Sequence, residues 1–327
     1  MTESNENQPI DESDQIIADE LDLVSFDEQI PPDHRSGFIA IMGRPNVGKS
    51  TLMNSILGQK VAIVSSKPQT TRLRQLGILT MPKYQVIFID TPGWHEPRDP
   101  LGDYMVSAAA RALEEADLVL FLVDGSSPPN DLDQALAQEL RKIKSPVLLA
   151  LNKMDVGIRD AIANQKAYSD LLEDPICQWI SALQGTNLEV LVEHIVEQLP
   201  VGPRYYPVDQ VTDIQLRQLV AELIREQVLR QTRHEVPHAV AVIVNEFKER
   251  ESQSTYISAT IFVERESQKG IIIGSGGRKL KNIGVRARNS IEESLEQPVF
   301  LDLWVKVRDK WRKKEDAVRK MGYRKTR

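Results

Sequence analysis

The stretch GRPNVGKS, residues 43–50, lies between the apolar run FIAIM and the helical pattern TLMNSIL. It matches the phosphate-binding pattern G-x-x-x-x-G-K-[ST] in the order of strand, loop and helix that this pattern requires. Its glycines allow successive backbone N–H groups to face phosphates at the positive end of a helix. Lys49 adds a charge for the β- and γ-phosphates, and the hydroxyl of Ser50 is a suitable magnesium ligand. The stretch therefore predicts a nucleoside triphosphate site. The residues of this loop expected to contact the nucleotide are Gly43, Arg44, Pro45, Asn46, Val47, Gly48, Lys49, Ser50 and Thr51.

On the C-terminal side of this loop, apolar runs alternate with helical patterns as far as residue 198. The predicted strands are FIAIMG, YQVIFID, DLVLFLVD, PVLLALN and PICQWIS, and the predicted helices span residues 49–57, 103–116, 131–144, 159–172 and 187–198. Apolar strands separated by helices are typical of a mostly parallel sheet that is covered on both faces. The prolines and glycine of residues 199–207, LPVGPRYYP, end this order. We therefore predict an α/β domain over residues 36–202.

A second nucleotide segment, DTPG, closes the predicted strand YQVIFID. Asp90 can hold magnesium through a water molecule, and the N–H group of Gly93 can meet the γ-phosphate. The ligands of parallel sheets bind at the carboxyl ends of the strands, which is where DTPG lies. We therefore assign this segment to the same site as the loop.

Two further segments select the base of the nucleotide. NKMD follows the strand PVLLAL, and the carboxylate of Asp155 can accept hydrogen bonds from N1–H and the exocyclic amine of guanine. Adenine lacks this pair of donors. SAL ends the next predicted strand, and the N–H group of Ala182 can donate to guanine O6. The segments together predict a GTP site, with further contacts from Asp90, Thr91, Pro92, Gly93, Asn152, Lys153, Asp155, Ser181, Ala182 and Leu183.

These segments, in this order, resemble the P-loop GTPases that include translation factors and small G proteins. The resemblance implies that a threonine in PQTTR, residues 68–72, ligates magnesium when GTP is bound. Thr71 is the expected ligand, and Thr70 is left open as the alternative. The implied magnesium ligands are Ser50, Thr71 and Asp90.

One departure from small G proteins bears on the rate of hydrolysis. Trp94 follows DTPG at the position where small G proteins have a glutamine that orients the attacking water. Since an indole cannot orient that water, we expect slow hydrolysis. Asn46 resembles the asparagine through which some GTPases recruit potassium, but it is equally suited to fix its own loop by a hydrogen bond. The residues predicted to support catalysis are Lys49, Asn46, Thr71 and Gly93.

The chain after residue 202 has a different order of elements. We predict a helix over residues 213–230, strands over 238–247 and 254–263, two helices around GSGG, the strand VFLDLWVKV and a basic C-terminal helix. This αββααβ order, with its G-x-x-G turn, resembles an RNA-binding KH domain, which clamps about four nucleotides of a single strand. We therefore predict an α+β KH domain over residues 203–327. The residues implied to contact RNA are Gly274, Ser275, Gly276, Gly277, Arg278, Lys279 and Lys281, with the run Ile271–Ile273 as an apolar platform for bases.

Charge is distributed unevenly along the chain, whose net charge is −6. Residues 1–33 carry eleven acidic and no basic side chains, whereas residues 203–327 carry 25 basic and 17 acidic ones. A basic C-terminal part is suited to a polyanion such as RNA, and residues 1–35 have the composition of an acidic disordered tail. The single cysteine, Cys177, excludes an internal disulfide. No secretory signal or membrane span is expected.

The combination of PQTTR, DTPG and a C-terminal SQKGIIIGSGG closely resembles the Era family of bacterial GTPases. The resemblance covers about residues 36–323 and implies binding near the 3′ end of the 16S RNA of the small ribosomal subunit, with a role in assembling that subunit. It implies GTP or GDP and Mg²⁺ as ligands, together with K⁺ if Asn46 recruits it. Ser275 departs from the family pattern, in which lysine is common.

Two other interpretations remain open at this stage. The protein could bind RNA with the GTPase half serving only as a folded scaffold. Alternatively, the basic C-terminus could hold a GTPase at anionic lipid, although the G-x-x-G turn would then have no role. We expect a monomer in the cytoplasm, with peripheral association at the cytoplasmic face of the cell membrane left open.

Overall fold

The structure, a computed structural model, describes residues 30–67, 69–94, 96–249 and 254–323. The predicted acidic tail lies outside the described residues up to position 29, as do Pro68 and the last four residues of the predicted basic helix. At the other end of the predicted tail, His34 is buried and Arg35 begins the first strand, so the folded part begins before residue 36.

Six strands form the first sheet, in the order β2–β3–β1–β4–β5–β6. They are β1 (Arg35–Met42), β2 (Gln75–Met81), β3 (Tyr84–Asp90), β4 (Leu118–Asp124), β5 (Val147–Asn152) and β6 (Ile176–Trp179). All neighbouring pairs are parallel except β2 and β3, which are antiparallel. The predicted α/β class with a mostly parallel sheet is confirmed.

The edge strand β2 was missed by the sequence analysis. Its sequence, QLGILTM, has Gly77 in the middle, and glycine is unfavourable inside a strand. Pairing with β3 over seven residues decides its structure instead. The outer edge of β2 is covered by the connecting segment, since the N–H group of Ile78 donates to the carbonyl of Val211 (2.8 Å). Thus residues near 211 lie along the first sheet, although the predicted division places them in the second domain.

Helices cover both faces of the first sheet. They are α1 (Lys49–Leu57), α2 (Pro100–Glu115), α3 (Asp131–Leu140), α4 (Ala161–Ser169) and α5 (Leu188–Gln198). One core joins α1 and α5 to the sheet, through residues such as Leu52 and Leu191. The other joins α2, α3 and α4, through residues such as Ala109, Leu136 and Tyr168. These packed faces hold the strand ends and their loops in fixed relative positions.

The second sheet has three strands, β7 (Ala241–Lys248), β8 (Thr255–Val263) and β9 (Val299–Val307), with β7–β8 antiparallel and β8–β9 parallel. Its helices are α6 (Leu216–Gln231), α7 (Val236–Ala239), α8 (Glu266–Ile273) and α9 (Arg278–Leu295). The short helix α7 occupies the start of the segment predicted as strand from residue 238. The predicted KH arrangement is confirmed, and a short 3₁₀ turn over Ser275–Gly277 joins α8 to α9.

The C-terminal segment packs against the first half of the protein. It consists of a 3₁₀ turn (Trp311–Lys313) and the short helix α10 (Glu315–Lys320). Trp311 is fully buried in a cluster with Leu101 and Met105 of α2. Its indole N–H donates to the carbonyl of Ala239 (2.8 Å). The predicted basic helix is therefore short, and its apolar side joins the two halves.

Candidate nucleotide and nucleic-acid sites

The phosphate-binding loop joins β1 to the start of α1. Gly48 has φ 109°, and a Cβ atom there would lie 2.4 Å from the amide nitrogen of Asn152. Only glycine fits this conformation and this contact. The Asn152 amide donates to the carbonyl of Val47 (2.7 Å) and accepts from the N–H group of Ala182 (2.9 Å). Asn152 thus holds together the loop, the NKMD segment and the SAL segment.

Lys49 is buried at the centre of this loop. Its ammonium group donates to the carbonyls of Gly43 (3.0 Å) and Arg44 (3.1 Å). Burial lowers the pKa of Lys49 to about 8, although the charge of Asp90 opposes this shift. A buried cation whose neighbours are mostly neutral carbonyls is suited to an incoming anion, because a phosphate would stabilise its charged form.

The three predicted magnesium ligands lie together at the end of β3. The hydroxyl of Ser50 donates to Asp90 Oδ2 (2.7 Å) and lies 2.8 Å from the hydroxyl of Thr71, which donates to the same oxygen at 3.3 Å. Burial raises the pKa of Asp90 despite the nearby Lys49. Its other oxygen, Oδ1, is buried and has no hydrogen-bond partner among the described residues. Two hydroxyls and a carboxylate with an unused buried oxygen fit a small hard cation.

Thr70, the alternative ligand, is placed differently. Its hydroxyl donates to the carbonyl of Lys67 (2.6 Å) inside its own loop. The structure therefore brings Thr71, and not Thr70, to Ser50 and Asp90.

Asn46 joins the phosphate-binding loop to the loop that carries Thr71. It has φ 66°, and its amide donates to the carbonyl of Ser66 (3.0 Å). This hydrogen bond differs from the one predicted, which was to fix the loop that carries Asn46 itself, because the structure gives a bond to a second loop.

The DTPG segment packs closely on the phosphate-binding loop. A Cβ atom on Gly93 would lie 2.8 Å from the backbone nitrogen of Pro45, and the N–H group of Trp94 donates to the carbonyl of Gly43 (3.2 Å). The hydroxyl of Thr91 donates to the carbonyl of Ile41 (2.8 Å), and Pro92 is buried. The Trp94 side chain packs on the sheet core.

The predicted base-binding residues meet at the ends of β5 and β6. Asp155 is exposed, and one carboxylate oxygen accepts from the hydroxyl of Ser181 (2.5 Å). The ammonium group of Lys153 pairs with Asp124 (2.6 Å), and Leu183 is 75% exposed. The guanidinium of Arg44 pairs with Asp133 (3.2 Å) and also lies 3.7 Å from Asp124.

Four residues of this pocket were missed by the sequence analysis. Ile63, Val64, Ser65 and Gln69 line the same pocket as Lys49 and Thr71. They belong to the loop between α1 and β2, where no fixed motif marks a contact in the sequence.

The GSGG turn is open to solvent. Gly276 has φ 59° and Gly277 has φ 74°, and a Cβ atom on either would meet none of the described atoms within 4 Å. Ser275, Arg278 and Lys281 are exposed. The residues predicted to contact RNA lie at this turn and at the start of α9. They are Gly274, Ser275, Gly276, Gly277, Arg278, Lys279 and Lys281.

Beside the turn lies an apolar groove that the sequence analysis did not identify. We call it the KH groove, and its lining includes Leu280, Val285, Phe300 and Leu303, with the cations Lys281 and Arg288 at its sides. Phe300 is 59% exposed, and its ring stacks on Tyr256 with 5.8 Å between centroids.

The predicted platform Ile271–Ile273 needs correction, because Ile272 is fully buried in the core. Because the run is helical, only some of its side chains face solvent. The apolar lining of the KH groove comes instead from α9 and β9.

Within the described ranges there is no helix whose length and hydropathy would let it cross a membrane.

Comparison with known proteins identifies both halves. Residues 38–153 match a family described as 50S ribosome-binding GTPase, and residues 235–312 match the KH domain family. The GTPase Era of Carboxydothermus hydrogenoformans is 49% identical over 292 residues, which are 89% of this chain and 98% of that protein. The GTPase Era of Heliobacterium modesticaldum is 49% identical over 290 residues, or 88% and 97% of the two chains.

Two solved structures of Era are similar over nearly their whole length. One is Era in complex with MgGDPNP and nucleotides 1506–1542 of 16S ribosomal RNA, with a TM-score of 0.85, 42% identity, and coverage of 89% of this chain and 99% of that one. The other is a tyrosine-to-alanine variant of Aquifex aeolicus Era bound to GDP·AlF₄⁻, with a TM-score of 0.85, 42% identity, and coverage of 88% and 99%. Together with the P-loop site and the KH fold, these similarities show that the chain belongs to the Era family of GTPases.

Proposed function

We propose that this protein is a GTP-switched RNA-binding factor that hydrolyses GTP slowly, binds 16S ribosomal RNA near its 3′ end and acts in assembly of the small ribosomal subunit. The observation that carries the proposal is the gathering of Ser50, Thr71 and Asp90 in a chain that also has an open GSGG turn. One molecule thus combines side chains suited to a triphosphate with Mg²⁺ and an open turn suited to RNA.

In this proposal the phosphates lie along the loop of residues 43–51, with Lys49 against the β- and γ-phosphates. Ser50, Thr71 and Asp90 hold Mg²⁺, which neutralises charge on the phosphate oxygens. The N–H group of Gly93 contacts the γ-phosphate. Asp155 and the N–H group of Ala182 select guanine. Support comes from the short distances among the three ligand side chains and from the unpaired Asp90 oxygen.

The RNA strand in this proposal follows the GSGG turn and the KH groove. Gly276 and Gly277 leave room for the sugar–phosphate backbone, while Phe300 and Val285 offer apolar surface to the bases. The Era structure with 16S RNA supports this choice of ligand, because it matches this chain at 42% identity over nearly its full length. We expect the protein to act in the cytoplasm as a monomer with two domains that divide after residue 202, although the segment near Val211 still lies along the first sheet.

Affinity for RNA tests the whole proposal. An RNA with the sequence of nucleotides 1506–1542 of 16S RNA should bind with different Kd values in GDPNP, in GDP and without nucleotide. Equal Kd values in all three states would favour the scaffold interpretation instead. No binding in any state would contradict the RNA assignment altogether.

Potassium is a finer part of the proposal. We propose that K⁺ beside Asn46 stabilises developing charge on the phosphates, since Trp94 cannot orient water. Replacing Na⁺ by K⁺ should raise the GTPase rate of the wild type and leave Asn46→Ala unaffected. Identical rates in both salts would reject a role for potassium. Asn46 would then keep only its hydrogen bond to the carbonyl of Ser66.

Peripheral membrane contact is the secondary proposal. Lys310, Lys313 and Lys314 are exposed and near one another in the chain, whereas Arg312 is engaged with Glu264 (2.8 Å). Sedimentation with vesicles that contain anionic lipid tests it, and an absence of binding at physiological salt would reject it.

A further inference from the structure

The loop that carries Thr71 is held largely by the KH half of the protein. We call residues 60–72 the switch loop. At its start, Glu226 of α6 accepts from the ammonium group of Lys60 (2.5 Å) and from the N–H group of Val64 (3.0 Å). Ile63 is buried in the same core as Leu223 of α6. The KH half therefore contacts the start of the loop, including Ile63 and Val64, which also line the nucleotide pocket.

At the end of the switch loop, two buried arginines cross between the halves in opposite directions. Arg225 of α6 donates to the carbonyl of Thr70, and Glu222 holds its guanidinium at 2.7 Å. Arg72 extends into the KH half, where it donates to the carbonyls of Val240 (2.6 Å) and His238 (2.8 Å). Thr71 lies between these two anchored residues.

Arg72 has further partners that are all in the KH half. Its guanidinium reaches the carbonyl of Pro237 (3.3 Å) and the hydroxyl of Tyr323 (3.4 Å), and it lies 5.9 Å from the centroid of the Trp311 ring. A buried guanidinium is tolerated only while such hydrogen bonds are made. Displacement of the KH half would break the hydrogen bonds of Arg72. The conformation of the switch loop is therefore linked to the position of the KH half.

We propose that Arg72 and Arg225 are positioning residues through which the KH half places Thr71 beside Ser50 and Asp90, and so sets the preference for GTP over GDP. This inference rests on the proposed function, because it takes Thr71 as the ligand used when the γ-phosphate is present. Thr71 lies 2.8 Å from Ser50 while both arginine contacts are made, so the joined arrangement is the one that assembles the three ligand side chains.

Thermodynamic linkage extends the inference to RNA. If docking of the KH half favours GTP over GDP, then the nucleotide must change the affinity for any RNA that binds one docking arrangement better. By reciprocity, that RNA must change the preference for GTP over GDP by the same factor. Loss of the arginine contacts should remove both effects together.

The chain offers a matched control at Arg74. This arginine is two residues beyond Arg72, but its guanidinium pairs with Glu115 of α2 (2.6 Å), inside the first half. Arg74→Ala removes the same side chain from the same segment without touching the contacts between halves described above.

The test compares Kd values for GDPNP and GDP, with magnesium, in the full chain. Arg72→Ala should weaken GDPNP binding by about 5- to 150-fold, the usual range of coupling between sites, and should leave GDP binding near the wild-type value. Arg225→Ala should act in the same direction. Arg72→Lys, which can reach one carbonyl, should lie between Arg72→Ala and the wild type and keeps the test valid if the alanine variant does not fold. Arg74→Ala should match the wild type.

The same variants are then tested with the RNA of nucleotides 1506–1542. The ratio of RNA Kd values in GDP and in GDPNP should fall towards one in Arg72→Ala and stay unchanged in Arg74→Ala. If Arg72→Ala and Arg225→Ala lost affinity for GDP and GDPNP equally, the arginines would have only a structural role and the inference would be overturned. An unchanged or increased preference for GDPNP in these variants would also overturn it. Failure of the wild type to bind guanine nucleotides would instead contradict the proposed function.

Discussion

The nucleotide site and the KH groove are built in opposite ways. Around Lys49 and Asp90 the side chains are buried, and hydrogen bonds join loops that are far apart in the sequence. At the GSGG turn Ser275 and Gly276 are exposed, and the two αL glycines leave space that no described atom fills. In the proposed function, binding at the first site uses side chains that are already in place, whereas binding at the second uses the space left where glycines have no side chain. Substitutions should therefore act differently in the two sites.

The largest expected effect is a loss of RNA affinity caused by a substitution in the GSGG turn. Gly276→Asp should abolish RNA binding and leave GDP affinity unchanged, because a carboxylate would stand in the space meant for the RNA backbone and would repel it. RNA Kd values measured with GDP affinity as an internal check test this. Gly276→Asn is the matched control, since asparagine has nearly the same size and also tolerates φ above zero; it should bind RNA more tightly than the aspartate variant. Wild-type RNA affinity in a folded Gly276→Asp protein would make GSGG an ordinary turn.

The second largest effect is expected on the affinity for guanine nucleotides, from a substitution in the base-binding part of the nucleotide site. Asp155→Asn should weaken GTP and GDP binding alike by about 1–3 kcal/mol, or roughly five- to 150-fold in Kd, because guanine loses an acceptor for two donors. Xanthosine nucleotides carry an oxygen in place of the exocyclic amine, so they should bind the variant better than the wild type. Calorimetry with both nucleotide series measures this, and an unchanged Kd for GDP would contradict the guanine assignment.

A smaller effect is expected in the pH dependence of GDP affinity. The pKa of Lys49 is lowered by burial to about 8 in the nucleotide-free protein, and phosphate would raise it, so binding takes up a proton above pH 8. Affinity for GDP should be constant below about pH 7.5 and fall about tenfold between about pH 8 and pH 9 to 9.5. Lys49→Gln should bind weakly and lack this dependence. Any pH dependence that both proteins share belongs to the nucleotide, and identical profiles would show that Lys49 does not titrate.

The smallest effect concerns the two lysines that follow the GSGG turn. If Lys279 and Lys281 each neutralise one phosphate, replacing both by glutamine should flatten the log–log salt dependence of RNA binding by about 1–1.5, given roughly 0.7 per single-strand phosphate. Sequence preference should survive, because base edges carry it. Replacing the exposed Lys142 and Lys144 of the first half removes the same charge and should leave the slope unchanged. A loss of preference with the slope intact would mean that Lys279 and Lys281 contact bases.

Residues within short contiguous motifs could be assigned from the sequence. Lys49 and Ser50 are set by one turn of backbone at a helix start, and Asp90 by the end of a strand, so local spacing alone predicts which way they face. The αββααβ order and the GSGG turn are equally local signals. The strand β2 could not be predicted in this way, because its pairing with β3 overrides a weak intrinsic preference.

The sequence by itself determined the class of fold, the guanine nucleotide and the position of the GSGG turn proposed to bind RNA, since each depends on neighbouring residues whose geometry is almost independent of the rest of the chain. Only the tertiary structure decided between Thr70 and Thr71 as the residue beside Ser50 and Asp90, because that choice depends on anchors contributed by residues 155 and 168 positions away. It also decided which residues line the KH groove and that Trp311 is buried against α2. Contacts of this kind follow from how two packed halves meet, and no local spacing in the sequence records them.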